Sequence, residues 1–269
     1  MNEIDQKLIV AATEPVARGK TDTKALSLYS PYGWMGKIGL ICPSTNTSLE
    51  PEFHLMAPQG IAIHVARAYV EGAQQEALYK LIAANVGRAS KELASAKVDV
   101  VAFGCTSCTY FVPAEEIKAV MTKETGVEAI VTAEAVLSAF RVLGARKIAL
   151  ATPRTDFVNQ REVAWLAQQG FEVTSCHGLQ LGETAEERFD IGRVPTDVAF
   201  RLAKIVDRPE ADVVFISCTN LASLRAIARI EQEIGKPVVT SNQATMWRCL
   251  RTLGLTLKIP GFGRLLEEF

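Results

Sequence analysis

The sequence predicts an α/β protein made of two pseudo-symmetric, Rossmann-like α/β domains, each with a mainly parallel sheet. The main observation is a repeat, because VDVVAFGCTS at residues 98–107 returns as ADVVFISCTN at residues 211–220. In each copy an apolar run stops at a small residue and is followed by Cys-Thr. Such a run is typical of a buried parallel strand, and open α/β sheets bind ligands at the carboxyl ends of their strands. We therefore expect an active site in the cleft between the domains.

Two further pairs of segments extend the repeat beyond the cysteines. KIGLICP at residues 37–43 matches KIALATP at residues 147–153, and GVEAIVT at residues 126–132 matches GKPVVT at residues 235–240. In both copies the last segment is followed by an apolar helical stretch that ends in Leu-Gly. The repeat indicates approximate two-fold symmetry. It predicts an N-terminal extension (1–35), a first α/β domain (36–135 plus 243–269) and a second α/β domain (136–242).

Strands and helices alternate along both halves, which predicts mainly parallel sheets. Residues 1–35 are polar and have no sustained period, so we interpret them as an extension or an oligomer arm. A helix over 113–125 begins with Pro and acidic residues and stops at Gly126. The other predicted elements of the first half are strands over 38–42, 61–69, 98–103 and 128–132, and a helix over 75–96. Those of the second half are strands over 147–151, 171–176, 212–216 and 237–240, and helices over 157–169, 195–206 and 221–235.

Composition excludes several classes of function. The chain has 29 basic and 30 acidic residues, well mixed and with a net charge of -1, which argues against a nucleic-acid or membrane-surface partner. No apolar run approaches the ~18 residues of a membrane span, and the first residues lack the pattern of a secretory signal. We expect a cytoplasmic protein whose six cysteines are reduced thiols.

The two repeated cysteines, Cys105 and Cys218, are the candidate catalytic residues. A thiol is reactive when it is ionised, and its pKa falls near the N-terminus of a helix. Thr106 and Ser107 follow the first thiol and Thr219 follows the second, so hydroxyl and turn N–H donors for a carboxylate lie beside both. A single cysteine would more often be a buried packing residue. Its duplication at equivalent positions favours a shared function.

The loops after the first strand of each half complete the cleft by symmetry. Ser44, Thr45 and Asn46 offer neutral donors, while Arg154 offers a planar cation suited to a carboxylate. An alternative is that these residues serve only as turn and cap residues. Their position at strand ends, opposite the thiols, favours substrate binding.

Motifs for metals and cofactors are weak in this chain. Cys105 and Cys108 form a C-x-x-C, but there is no second such pair and no histidine at ligand spacing, so we predict no metal site. No P-loop, dinucleotide-binding glycine motif or G-x-S-x-G is present, so we expect no cofactor. Cys42, Cys176 and Cys249 fall in apolar periods and are predicted to be packing residues.

These segments resemble the aspartate/glutamate racemase superfamily, in the branch that holds maleate cis-trans isomerases and arylmalonate decarboxylases. PSTNT at residues 43–47 is similar to the segment of maleate isomerases that contains a carboxylate-binding asparagine. GCTS at residues 104–107 and SC at residues 217–218 resemble the two thiol loops. PGFGRLL at residues 260–266 is similar to the end of arylmalonate decarboxylases. The resemblance covers residues 37–266.

The resemblance implies a cofactor-independent isomerase of a small dicarboxylate, most simply of maleate to fumarate. Cys105 would add to the double bond and Cys218 would be its acid/base partner, while Asn46, Thr106 and Ser107 would hold carboxylates. Decarboxylases of this branch carry only the second thiol, so a two-thiol chain should not be mainly a decarboxylase. A racemase that uses both thiols as acid and base stays open, as do an arylmalonate-decarboxylase-like enzyme and a non-enzymatic carboxylate-binding module.

The chain departs from this branch at two places. Arg154 stands where these enzymes have a tyrosine, and a substrate-binding asparagine is replaced near Thr184. The positive charge of Arg154 would favour a more anionic ligand than a phenol would. The resemblance also implies a homodimer or a higher homo-oligomer, with a small carboxylate as the substrate.

Overall fold

The structure is a computed structural model and describes residues 31–269. The sequence repeat corresponds in it to two four-stranded parallel sheets with the same strand order. The first sheet has the order β2-β1-β3-β4 and consists of β1 (Gly36–Pro43), β2 (Ile61–Ala68), β3 (Val100–Phe103) and β4 (Ala129–Val131). The second has the order β6-β5-β7-β8 and consists of β5 (Lys147–Arg154), β6 (Glu172–Leu181), β7 (Val213–Ile216) and β8 (Val238–Thr240). The predicted α/β fold is confirmed.

Matching aspartates tie the two central strands of each sheet together. The Asp99 carboxylate accepts a hydrogen bond from the Lys37 N–H at 2.8 Å, and the Asp212 carboxylate accepts one from the Lys147 N–H at 2.8 Å. In return, the N–H of Asp99 donates to the Lys37 carbonyl, and that of Asp212 donates to the Lys147 carbonyl. The repeat therefore extends to the hydrogen bonds that set the register of the strands.

Eleven α-helices of the described residues cover the sheets. Those of the first half are α1 (Leu49–Met56), α2 (Glu76–Ala84), α3 (Val86–Ser95), α4 (Ala114–Thr125) and α5 (Thr132–Val142). Those of the second half are α6 (Asp156–Gln168), α7 (Ala185–Asp190), α8 (Thr196–Val206), α9 (Ile227–Ile234), α10 (Ser241–Thr252) and α11 (Arg264–Glu268). Gly126 and Gly235 end α4 and α9 with φ of 73° and 74°, a conformation that side chains with a Cβ disfavour. The predicted stop at Gly126 is confirmed.

Two predicted helices differ from the structure, and two further helices were not predicted. The helix predicted over 75–96 is two helices, since the chain breaks at Asn85, whose side chain donates to the Leu81 carbonyl. The helix predicted over 221–235 begins only as a 3-10 turn at Leu224–Ala226 and continues as α9. Helices α1 and α7 were not predicted, because both are short and carry charges at positions that blur the apolar period.

Helices α5 and α10 connect the two halves. Each begins directly after the last strand of its sheet, and the two pack against each other, with the Thr245 hydroxyl donating to the Thr132 hydroxyl at 2.9 Å. One apolar core runs from Ile38 and Leu40 in the first sheet to Ile148 and Leu150 in the second. The carboxyl ends of both sheets are thereby held at one cleft.

The predicted extension, residues 1–35, lies almost wholly outside the described residues. The predicted domain limits, 36–135 plus 243–269 and 136–242, stay a prediction. In the described part of the chain, no helix has the length and apolar character needed to cross a membrane.

Candidate active site

One cavity lies at the carboxyl ends of the strands and holds both predicted thiols. Its volume is about 70 Å³, which is below the range for drug-sized ligands and suits only a small molecule. Cys105 follows β3 and Cys218 follows β7, so the parallel strands deliver the two thiols from opposite halves. Eight of the nine predicted site residues line the cavity: Thr45, Asn46, Cys105, Thr106, Ser107, Arg154, Cys218 and Thr219.

Ser44 is the predicted site residue that does not line the cavity. Its hydroxyl accepts a hydrogen bond from the Val70 N–H at 3.0 Å, and its own N–H donates to the Ala68 carbonyl at 2.7 Å. Both partners belong to the end of β2 or the loop after it. Ser44 therefore fixes the loop after β1 to the neighbouring strand.

Asn46 and Thr219 connect the loops of the two halves. The Asn46 side-chain oxygen accepts from the N–H groups of Ser48 and Leu49, each at 3.0 Å, at the start of α1. Its amide donates to the Thr219 hydroxyl at 3.0 Å, and that hydroxyl donates to the Gly104 carbonyl at 2.9 Å. The side chains are held in place before any ligand arrives.

Cys105 has a lowered pKa. The main cause is a hydrogen bond from the Cys108 thiol, which outweighs burial; the N–H groups of Cys108 and Ser107 and the charge of Arg154 contribute in the same direction. The pKa of Cys108 is raised, so this thiol keeps its proton, which in the structure points to the Tyr79 carbonyl at 3.3 Å. One proton serves one acceptor at a time, and an ionised Cys105 is the stronger acceptor. Cys105 is therefore the more readily ionised thiol.

Cys218 has a raised pKa, in contrast to the expectation that helix N-termini activate both thiols. Burial is the largest cause and outweighs the charge of Arg154 and the Asn220 N–H, which lies 3.4 Å from the sulfur. The predicted helix does not follow this loop at once, because residues up to Ser223 are irregular before the 3-10 turn. The two thiols interact electrostatically, since an ionised Cys105 contributes to raising the pKa of Cys218.

Arg154 lies at the cavity wall in a buried ion pair. Its Nη1 donates to Glu162 at 2.9 Å and to the Ser217 hydroxyl at 2.9 Å. Glu162 is fully buried and also accepts from the hydroxyls of Tyr110 and Ser217. Burial alone would lower the pKa of Arg154, but Cys218, which is ionised at the high pH where an arginine titrates, and Glu162 raise it. The guanidinium is therefore a fixed positive charge beside the thiols.

Sequence reasoning missed Glu162, although it lies eight residues after Arg154, on the inward face of α6. It also missed Arg188 on α7 and Gln74 in the loop after β2, both of which line the cavity. Neither lies in the repeated segments, and no pattern in the sequence links the two positions.

The remaining cysteines divide by burial. Cys42 and Cys249 are buried as predicted, whereas Cys176 is exposed, so its prediction as a packing residue was wrong. It lies on β6, a strand at the edge of its sheet. Across residues 31–269, no group of three His, Cys, Asp or Glu side chains is placed to hold a metal ion.

Comparisons with known proteins agree with this arrangement. The model of the arylmalonate decarboxylase family matches residues 38–266. Maleate isomerase of Pseudomonas putida is 31% identical over 248 residues, which are 86% of this chain and 97% of that protein. Arylmalonate decarboxylase of Bordetella bronchiseptica is 37% identical over 150 residues, 55% of this chain and 61% of that protein.

A solved structure shows the same fold. It is that of a mutant of the Nocardia farcinica maleate cis-trans isomerase with a covalently bound succinylcysteine intermediate, with a TM-score of 0.80 at 24% identity, covering 87% of this chain and 99% of that one. From the family match and the similarity to maleate isomerases over most of its length, the chain belongs to the arylmalonate decarboxylase family.

Proposed function

We propose that this chain is a cofactor-independent cis-trans isomerase that converts maleate to fumarate. The observation that carries the proposal is the difference between two thiols in one cavity, with the pKa of Cys105 lowered and that of Cys218 raised. Environments that push the pKa values of two groups apart are typical of a nucleophile or base paired with an acid.

The first step is addition of the Cys105 thiolate to one alkene carbon of maleate. The sulfur lone pair forms the C–S bond, and the π electrons move to the other carbon and its carboxylate. Cys218, which keeps its proton, can donate it to that carbon and take it back. The central bond is now single and rotates, after which the electrons re-form the double bond and expel the Cys105 thiolate. Atoms and electrons balance without a cofactor.

Donors around the thiols would hold the substrate carboxylates. The backbone N–H groups of Thr106 and Thr219 donate no hydrogen bond within the described residues, and both residues line the cavity. Arg154 spends only Nη1 on Glu162 and Ser217, which leaves its other side-chain N–H groups for a carboxylate. Fixed donors of this kind stabilise negative charge that develops during addition.

The relatives support the same chemistry. Several are maleate isomerases that match 86% of this chain, and the Nocardia farcinica enzyme has been captured as a succinylcysteine, which is the product expected of thiolate addition followed by protonation. The family also includes arylmalonate decarboxylase, so decarboxylation is an outcome that the experiment must be able to detect.

Proton NMR of maleate, aspartate, glutamate and phenylmalonate in deuterated water distinguishes the alternatives in one experiment. We expect fumarate from maleate only; deuterium at an unchanged α-carbon would indicate racemisation, and loss of carbon dioxide would indicate decarboxylation. Cys105→Ala should lower turnover by about 10⁴-fold or more, because it removes the nucleophile. The exposed thiol variant Cys176→Ala is the matched control and should keep full activity. Fumarate formation by Cys105→Ala would refute the mechanism.

Three predictions from the sequence accompany this proposal: that the enzyme works in the cytoplasm, that it forms a homodimer or higher homo-oligomer, and that nucleic acid and membrane are not its partners. Size-exclusion chromatography with light scattering tests the second, and cell fractionation tests the first. A monomer at micromolar concentration would contradict the oligomer prediction.

A further inference from the structure

Arg188 lines the cavity as a cation without an anionic partner in the described structure. Its Nε donates to the Gly72 carbonyl and its Nη1 to the Thr45 hydroxyl, each at 2.6 Å, and both acceptors are neutral. The side chain is about half buried, and burial lowers its pKa. Two hydrogen bonds fix the guanidinium in place while Nη2 remains without a partner in the described structure.

Two of the three acids on the same helix are occupied elsewhere, and the third, Glu186, is exposed and does not line the cavity. Glu187 accepts from the N–H groups of Gly182 and Glu183, and Asp190 forms an ion pair with Arg193. No Asp or Glu is among the residues that line the cavity. The charge of Arg188 is therefore not balanced by the protein at the cavity.

Arg188 differs in this respect from Arg154. Arg154 is neutralised by Glu162 and lies close enough to the thiols for its charge to lower the pKa of both. Arg188 is held by acceptors in the loops after β1 and β2, and no carboxylate of the described residues pairs with it. The two cations thus serve different parts of the cavity.

A second unsatisfied group lies in the same part of the cavity. Gln74 is buried and lines the cavity, and its side-chain oxygen has no hydrogen-bond partner in the part of the chain that the structure describes. Its N–H donates to the Gly182 carbonyl, and it lies two residues after Gly72, the loop residue whose carbonyl accepts from Arg188. A carboxamide turned by 180° presents its NH₂ instead, which would give a second donor beside the arginine.

We propose that Arg188 binds a third anionic group, so that the substrate is a cis-butenedioate with an additional carboxylate on a short side arm. This inference rests on the proposed function, and it identifies a specificity-determining residue of that site. The two carboxylates of a butenedioate are served by the donors beside the thiols and by Arg154. Maleate has no further carboxylate for Arg188 to bind, whereas a fixed, half-buried cation is stabilised by a matching anion.

Equilibrium binding tests this without any turnover. Propane-1,2,3-tricarboxylate and succinate are saturated probes that differ in one carboxymethyl arm, and calorimetry gives the Kd of each. We expect the tricarboxylate to bind at least about 10-fold more tightly to the unmutated protein, and Arg188→Gln to weaken it by about 10- to 100-fold while succinate changes less than about 3-fold. Arg188→Lys should restore part of the affinity, because it keeps the charge.

Arg193→Gln is the matched control, since Arg193 is a nearby exposed arginine paired with Asp190. It should leave both Kd values unchanged, and circular dichroism should show that the Arg188 variants are folded. Equal weakening of succinate and the tricarboxylate would overturn the inference, because Arg188 would then bind a carboxylate common to all diacids. No weakening of either, or no preference for the tricarboxylate in the unmutated protein, would overturn it as well.

Turnover of cis-propene-1,2,3-tricarboxylate, followed by NMR, separates this inference from the proposed function. We expect its conversion to the trans isomer with a higher kcat/KM than that of maleate. Selective binding of the saturated tricarboxylate without isomerisation of either cis acid would keep the role of Arg188 and refute the isomerase. Isomerisation of maleate with no preference for the tricarboxylate would support the isomerase and refute the role of Arg188.

Discussion

The two thiol loops have the same backbone frame and different chemistry. The N–H after each strand donates to the neighbouring first strand, from Gly104 to Ile41 at 2.9 Å and from Ser217 to Ala151 at 2.8 Å. After Cys105, however, the chain turns at once into the 3-10 helix Ser107–Tyr110. After Cys218 it stays irregular up to the 3-10 turn that begins at Leu224.

The difference in the loops explains the difference between the thiols. In the first loop, the early turn brings the Cys108 thiol and two N–H groups to the sulfur of Cys105 and lowers its pKa. In the second loop, burial dominates and raises the pKa of Cys218. Duplication thus supplies the geometry, and the residues that follow each cysteine assign the roles.

Of the groups around the two thiols, Arg154 should have the largest effect when it is removed, because its charge lowers the pKa of both thiols and its partner Glu162 is fully buried. For Arg154→Met we expect a loss of about 10²- to 10³-fold in kcat/KM. We also expect a loss of about 3–5 kcal/mol in the free energy of unfolding, since a buried carboxylate is left unpaired. Steady-state kinetics and urea unfolding measure the two effects.

The double variant Arg154→Met with Glu162→Gln is the control for the unpaired charge. It should recover most of the stability and none of the activity, because the carboxylate is gone and the cation is still missing. A double variant as unstable as Arg154→Met would show that the ion pair is not the cause. Arg154→Met with unchanged kcat/KM would remove Arg154 from the site.

Replacing Cys108 should make the two thiols more alike. Cys108→Ala removes the main cause of the lowered pKa of Cys105, so less thiolate is present at neutral pH. We expect alkylation of Cys105 by iodoacetamide at pH 7 to slow by about 10-fold, as one pKa unit changes the thiolate fraction tenfold. Peptide mass spectrometry follows the Cys105 peptide, with the exposed Cys176 as the internal reference. An unchanged ratio of the two rates would contradict the assigned cause.

The anchor of the second loop should give the smallest effect. The buried Glu52 carboxylate accepts from the N–H groups of Ser223 and Leu224, at 2.8 and 2.9 Å, and from the Asn242 amide at 2.6 Å. Burial raises its pKa from 4.5, so its ionisation disfavours the folded state. Its contribution to stability is therefore present below about pH 4.5 and is lost as the pH rises through the folded-state pKa.

Glu52→Gln keeps an acceptor for the two N–H groups and has no charge. We expect it to change the free energy of unfolding by less than about 1 kcal/mol at pH 7. Its stability relative to that of the unmutated protein should rise between pH 5 and pH 8. Glu52→Ala leaves both donors unsatisfied and should lose more, about 1–3 kcal/mol for each. Urea unfolding at both pH values measures this. A gain of the unmutated protein over Glu52→Gln with rising pH would contradict the sign.

The repeat predicted the fold and both thiols because it is local: each strand, its stop and its cysteine are contiguous in sequence. The same locality explains the errors. The raised pKa of Cys218 depends on burial by distant segments, and the partner of Arg154 was missed because an ion pair across two elements leaves no pattern in the sequence. Arg188 reaches the cavity only because α7 packs beside the loop that contains Gly72.

The remaining differences concern where helices and strands begin, break and end. The helix predicted over 75–96 has a continuous apolar period, and only the structure shows the break at Asn85. The strands at 61–68 and 147–154 were predicted within one to three residues, because each begins as a short apolar run; the second continues through Thr152 to Arg154, which the sequence had assigned partly to a loop.

Mass spectrometry of the Cys218→Ser variant incubated with maleate tests the assigned roles most directly. This variant keeps the nucleophile and lacks the thiol that exchanges the proton, so an adduct that takes its proton from water cannot readily lose it again and should accumulate. We predict a mass increase of one maleic acid, located on the Cys105 peptide and absent from Cys105→Ala with Cys218→Ser. An unmodified Cys105 at saturating maleate, or an adduct on Cys218 in the Cys105→Ser variant, would contradict the account.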